Sequence, residues 1–175
     1  SEEVKARLAK RGVTAKWLAG FRDISRATDE RTSIMAVFPI AAVGNSINMV
    51  LGLEAVAAAC LVATANSFAF DYSCRQKVSG THVNIWIFKQ LPTIPIHLLD
   101  SNCPWGGKVH SIKDWVLSRV LELTYTAWDL EPFARDVGFD GPPFRWDAER
   151  RFLLRCELDA AFFHLYGLNR EDTAY

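Results

Sequence analysis

The longest apolar-leaning stretch of the chain, residues 47–65, reads INMVLGLEAVAAACLVATA. Asn48 and Glu54 interrupt it and its many alanines are only mildly apolar, so it fits a helix buried in a protein core rather than a membrane span. The Ala- and Leu-rich part, ending near Asn66, is expected to be that helix. Such a helix has to be covered on all sides. A chain of 175 residues of which 50% are hydrophobic suits one domain, or one plus a small appendage, with a genuine core and no extended disorder.

Charge narrows the function classes. The formal net charge is zero, which argues against a nonspecific nucleic-acid binder held by a strong positive field, while leaving room for one basic face. Cys60, Cys74, Cys103 and Cys156 form no CxxC pair and have no His at zinc-ligand spacing. Free thiols in a reducing cytoplasm are expected, and His82, His97, His110 and His164 are too scattered for a metal site. No early apolar run has the form of a secretory signal. Ser1 is not an initiating residue, so the chain reads as an excised piece.

Along the chain, EEVKARLAKRG reads as an exposed helix closed by Gly12, a possible strap to a neighbouring unit. Trp17, Leu18 and Phe21 follow at helical or core spacing. Arg22, Arg26 and Arg31 then mix with Asp23, Asp29 and Glu30 in what suits a salt-bridged, solvated face. TSIMAVFPI and AAVGNSINMVLG are expected to be neighbouring strands or a hairpin around a Gly-Asn-Ser turn. Beyond the buried helix, LPTIPIHLLDSNCPWGGK is punctuated by Pro and Gly and reads as a loop or boundary, with the Cys-Pro-Trp-Gly run as an aromatic packing plug. From His110 the spacing of Ile112, Trp115, Val116, Val120, Leu123 and Trp128 predicts a helix, with Trp115, Trp128 and Phe133 in the core. From Trp146 a long amphipathic helix is expected, with Phe152, Cys156, Ala160 and Phe163 as its apolar stripe. Asp147–Arg151 and Arg155–Asp159 would pair across a turn, Gly167 would end the helix, and NREDTAY would begin another.

The most polar and chemically varied span is residues 66–95, NSFAFDYSCRQKVSGTHVNIWIFKQLPTIP. Arg75-Gln76-Lys77 precedes a Ser-Gly-Thr turn, and HVNIWIFKQ, rich in β-branched and aromatic residues, reads as a strand. A polar loop held by such an element offers guanidinium, ammonium, amide and hydroxyl groups to phosphates and base edges. The competing reading is an ordinary strand with a basic turn, since Lys and Arg are mostly solvated surface residues.

The order NSFxFDYxxRQKxxGxHxNxxxxxQLPxxP resembles the signature in the target-recognition part of adenine-N6 DNA methyltransferases of the restriction-modification kind and of related phage-defence methylases. Two further stretches are similar to the same proteins: RDISRATDERTSIMAVFPIAAVGNS, residues 22–46, and FRWDAERRFLLRCELDAAFFHLYGLNREDTAY, residues 144–175. The resemblance runs from about Trp17 onward and is thinnest over residues 97–139. It implies a double-stranded DNA partner, contacted by Arg75, Gln76, Lys77, Ser79, Thr81, His82, Asn84 and Lys89, and S-adenosylmethionine as the cofactor of the parent protein. The resembling proteins continue past Tyr175.

Methyl transfer to an adenine amino group needs a doubly wound cofactor domain, and in the resembling family an Asn-Pro-Pro-Tyr motif that holds the flipped base; the chain has neither. Nor does it carry a phosphate loop, GxSxG or HExxH. No catalytic residue, cofactor site or metal site is therefore expected in this chain. The expectation is an α+β fold: a mixed α/β recognition domain over residues 1–96 followed by a helical region over 97–175. Its expected work is cytoplasmic DNA recognition beside a methyltransferase domain that lies outside the chain. The alternative is a non-catalytic protein-interaction or structural domain of a larger assembly.

Overall fold

The computed structural model describes residues 2–26, 28–105, 107 and 111–174. Its centre is an antiparallel sheet of β1 (Trp17–Arg22), β2 (Met35–Pro39) and β3 (Ile47–Val50) in the order β2-β1-β3. Residues 17–21 are thus a central strand, not a helix, and β2 and β3 are not a hairpin: each pairs with β1, Leu18 opposite Phe38 and Gly20 opposite Met49. Gly20 permits this close packing. A Cβ there would lie 2.9 Å from the Asn48 carbonyl oxygen and 3.0 Å from Ile47 Cγ2, so a side chain would push β3 away.

Alternation sends Trp17, Ala19 and Phe21 to the core with Met35 and Val37. Helix α2 (Ala55–Ala65) packs between β2 and α6 (Ile112–Thr124), and its small residues Ala58, Ala59 and Ala63 are buried. Of the apolar stretch over residues 47–65, the helical part from Ala55 onward lies in the core, whereas Ile47 and Met49 are half-exposed on β3. Among the described residues no single helix is long and apolar enough to cross a membrane.

Helix α1 (Glu2–Lys10) lies at the periphery, with Gly12 after it at φ +73°. Helix α3 (Phe68–Lys77) begins at Ser67, whose Oγ accepts from the Phe70 N–H at 3.3 Å. The HVNIWIFKQ stretch is not a strand: it forms the short helix α4 (Ile85–Phe88). Asn84 Oδ1 accepts from the N–H groups of Trp86 and Ile87, both at 3.0 Å. Phe88 anchors the turn by stacking on Phe21 at 4.0 Å. A cap and one core anchor outweigh the β preference of Ile and Trp.

After α5 (Ile96–Leu99), Trp105 meets Trp115 edge-on at 5.9 Å and stacks beside His164 at 5.8 Å, while remaining 37% exposed. It packs as expected, though at the surface. Gly106, Lys108 and His110, which the sequence puts in this loop and at the start of α6, lie outside the described residues. Trp115 and Phe133 are core residues, but Trp128 is 63% exposed. Trp128 sits on a 3-10 turn (Trp128–Leu130) before α7 (Glu131–Asp136), touching Tyr125 with a ring edge.

Helix α8 (Ala148–Leu165) is long, as expected, and is followed by Gly167 at φ +73° and α9 (Arg170–Thr173), which starts with a capping box from Asn169 and Asp172. Its buried face differs from the expected one. Leu154, Leu158, Ala161 and Phe162 are buried, while Phe152 is 57% exposed and Cys156 and Ala160 are also exposed. Both stripes have helical spacing, so periodicity alone could not choose between them. The expected turn-to-turn pairs give way to longer links. Arg150 bonds Glu122 bidentately, and Asp159 accepts from Arg31 Nη2 at 3.1 Å and from the Phe68 N–H at 2.7 Å.

Core residues from both sides of residue 96 belong to one cluster. Trp17 joins them twice, by its ring edge against Phe133 at 5.2 Å and by Nε1–H donating to Asp136 at 2.8 Å. Asp159 also makes stability depend on pH. Burial pushes its carboxyl above the ordinary carboxylate range, against the opposing pull of the Phe68 N–H and Arg31. Between the ordinary and raised values the folded chain holds the proton more tightly than the unfolded one, so this group's contribution to stability falls as pH rises through that window. Urea midpoints across an acid titration are expected to show this component in the wild type and to lose it in Asp159→Asn.

Candidate nucleic-acid interface

The span that resembles a recognition signature forms the C-terminal end of α3, the loop 78–84 and α4. The loop is stitched to the end of β1. The Ser25 N–H donates to the Thr81 carbonyl at 2.9 Å and the Val83 N–H to the Asp23 carbonyl at 2.6 Å, with Ile24 and His82 forming an antiparallel bridge. Asn48 Nδ2 donates to Asp23 Oδ1 at 3.2 Å and to the Val83 carbonyl at 3.4 Å. Backbone bonds to the residues just past the central strand hold the loop in place, and Val83, 1% exposed, plugs it into the core.

Three of the eight expected contact residues carry structural bonds here. The Arg75 guanidinium bonds Asp71 Oδ2 at 2.7 Å through Nε and the carbonyls of Asp29 and Glu30 at 2.6 Å through Nη2. It holds residues 29–30 against α3, beside Thr32 and Ser33, whose N–H groups Asp71 accepts. Arg22 grips the same segment from β1, donating to Ser25 Oγ, Asp29 and the Arg31 carbonyl. The arginines read from sequence as a solvated face are therefore partly internal clamps. Asn84 spends its Oδ1 as the cap of α4, and His82 Nδ1 lies 2.7 Å from Asp23 Oδ2.

The other five are presented to solvent. Gln76, Lys77, Ser79, Thr81 and Lys89 are exposed, and among the described residues none has a side-chain hydrogen bond or ion pair. Lys89 Nζ lies 5.6 Å from the Trp86 ring centroid. His82 keeps Nε2 without a protein partner among the described residues, and its side chain is 57% exposed. The platform thus offers two ammonium groups, an amide, two hydroxyls and an imidazole nitrogen, donors and acceptors of the kind that phosphates and base edges accept.

Sequence reasoning missed Trp86. It is 71% exposed, while its backbone is fixed by Asn84 at the N–H and by Gln90 Nε2 donating to its carbonyl at 3.0 Å. The strand reading hid it among apolar neighbours. Asn84, a good N-cap residue directly before Ile-Trp-Ile, was the signal for a helical turn.

No group of three or more His, Cys, Asp or Glu side chains among the described residues could hold a metal ion. The four cysteines are free. Burial pushes the thiols of Cys60 and Cys74 up to about 11, so neither forms a thiolate readily. Mass spectrometry after native alkylation is expected to find Cys156 modified first and Cys60 and Cys74 modified only after unfolding. Comparison with known proteins adds no identification: the chain matches no protein-family model, no curated protein and no solved structure.

Proposed function

We propose that the chain is the DNA target-recognition fragment of a site-specific, S-adenosylmethionine-dependent adenine-N6 DNA methyltransferase of the restriction-modification or phage-defence kind. It works in the cytoplasm beside a catalytic domain that lies outside this chain. The observation that carries the reading is the platform made by the end of α3, loop 78–84 and α4, which exposes Gln76, Lys77, Ser79, Thr81, His82 and Lys89 within the span that carries the resemblance.

Roles follow from chemistry. Lys77 and Lys89 are point charges on flexible stems and suit phosphates, whereas Gln76 has a planar amide that matches adenine N6 and N7. Arg75 and Asn84 act as positioning residues, shaping the platform rather than reading bases. The double-stranded DNA partner remains as the resemblance implies, with the reading surface moved toward Gln76, Lys77, Ser79, Thr81, His82 and Lys89. A second reading, a non-catalytic protein-interaction domain, is favoured by the exposure of Trp128, Trp146, Phe152 and Leu153, because large exposed apolar side chains suit protein contacts.

Methylation by the full-length parent on matched and mismatched duplexes separates the two. Lys77→Ala is expected to weaken action on all duplexes alike and to reduce its salt dependence. Gln76→Ala is expected to cost about 1–3 kcal/mol of discrimination at one base pair. Unaltered site choice and salt dependence in both folded variants would favour the interaction-domain reading.

A further inference from the structure

The backbone pins both members of the Asp23–His82 pair. The Asp23 N–H donates to the Ser46 carbonyl at 2.8 Å and the Asp23 carbonyl accepts from the Val83 N–H at 2.6 Å, while Thr81, on the other side of His82, accepts from the Ser25 N–H at 2.9 Å. His82 itself bridges to Ile24. The side chains are fixed in turn. Asn48 Nδ2 donates to the Val83 carbonyl at 3.4 Å and to Asp23 Oδ1 at 3.2 Å. A main-chain carbonyl only accepts, so the Asn48 amide has to present its NH2 there, and Asp23 Oδ1 accepts from the same group. Asp23 Oδ2, 2.7 Å from His82 Nδ1, is a carboxylate oxygen and accepts as well. The proton of the neutral ring therefore sits on Nδ1, because the bond made by one ring nitrogen sets the tautomer. Nε2 is left with its lone pair, on a side chain 57% exposed.

We propose that His82, with its tautomer fixed by Asp23 and Asn48, is a specificity-determining acceptor: in the major groove its Nε2 accepts from an exocyclic amino group, N6 of adenine or N4 of cytosine. The inference rests on the DNA-recognition reading and names what one residue of that surface selects. Against O6 of guanine or O4 of thymine the same nitrogen would set acceptor against acceptor. A phosphate oxygen fails for the same reason, and Lys77 and Lys89 supply the donors that phosphates need. Asp23 and Asn48 are positioning residues that act through the ring. Asp23→Asn is expected to reverse the arrangement. Its amide oxygen has to face the Asn48 NH2, so its own NH2 faces His82 Nδ1, and the ring proton moves to Nε2. The outward nitrogen then donates and suits the carbonyl oxygens of guanine or thymine.

The first readout needs no DNA. Long-range proton–nitrogen spectra of the imidazole rings, taken on the isotope-labelled chain at a pH where the His82 ring is neutral, are expected to place the proton on Nδ1 in the wild type and on Nε2 in Asp23→Asn. The His82 signals are those that His82→Ala removes. The second readout is the set of duplexes that the chain selects from a randomised pool. Wild type is expected to select adenine or cytosine at one position and to lose about three- to tenfold in affinity when that pair is exchanged for one with guanine or thymine in its place. Asp23→Asn should invert the preference, and His82→Ala should lose it while still binding. If Asp23→Asn fails to fold, the wild-type spectrum and His82→Ala decide the matter by themselves. A wild-type proton on Nε2, or a base preference unchanged in His82→Ala, would overturn this inference and leave the recognition reading standing. Failure of the folded wild type to bind any duplex would overturn both.

Discussion

Replacing Asp71 with Ala is expected to lower stability by about 3–5 kcal/mol, the range for breaking a buried charge pair. Its side chain is 3% exposed, and its two oxygens bind three groups. Oδ1 accepts from the N–H groups of Thr32 and Ser33, each at 2.7 Å, and Oδ2 accepts from Arg75 Nε at 2.7 Å. Thr32 and Ser33 are buried, so Ala would leave two N–H donors without water or partner, each costing about 1–3 kcal/mol. Arg75 would lose its counter-charge as well. In a chain of this length the loss corresponds to a melting shift of about 6–20 °C. Asp71→Asn keeps an oxygen for the two N–H groups and loses only the charge, so its expected loss is smaller. Differential scanning calorimetry of both variants checks the order, and an Ala variant as stable as the Asn variant would mean that the N–H groups find other partners.

Phe162→Ala is expected to cost about 3–5 kcal/mol, and Phe152→Ala within about 0.5 kcal/mol. Phe162 is 0% exposed and belongs to the core cluster that joins α8 to the sheet and α2, whereas Phe152 is 57% exposed. Truncating a buried ring loses its transfer free energy and leaves a cavity that close-packed neighbours refill only in part. Removing an exposed ring does neither. Chemical denaturation of the two variants decides which face of α8 is inside, and equal losses would contradict the orientation described.

The same helix shows what sequence can and cannot tell. Ala- and Leu-rich composition was enough to find α2, and length and spacing to find α6 and α8, because a long 3.6-residue period has few competing explanations. Which stripe of α8 is buried was not legible, since Phe152–Phe163 and Leu154–Phe162 are both apolar at helical spacing and only the partners of α3 and α6 choose between them. The sheet was half legible. β2 and β3 announce themselves by composition, but β1 lies between them in space and before them in sequence, a crossing that local patterns do not encode. Around the loop, the polar residue types are legible, yet their division into clamps and presented groups depends on the main-chain carbonyls of Asp29 and Glu30 and on the carboxylates of Asp23 and Asp71. Those carboxylates are remote in sequence from Arg75 and His82 or a helical turn away. Trp86 was lost to the strand reading for the reason its own cap supplies.

The most direct measurement is fluorescence anisotropy of a labelled duplex titrated with the chain over a salt series, comparing wild type with Lys77→Ala, Lys89→Ala. DNA binding through the platform predicts that log affinity falls linearly with log salt, and that the slope is shallower by about 1–2 in the double variant because two phosphate contacts are gone. Both lysines are exposed and carry no ion pair among the described residues, so the variant is expected to melt like wild type. No binding by the chain, or an affinity and salt slope that survive the double substitution, would contradict the assignment of the platform formed by the end of α3, loop 78–84 and α4 to DNA.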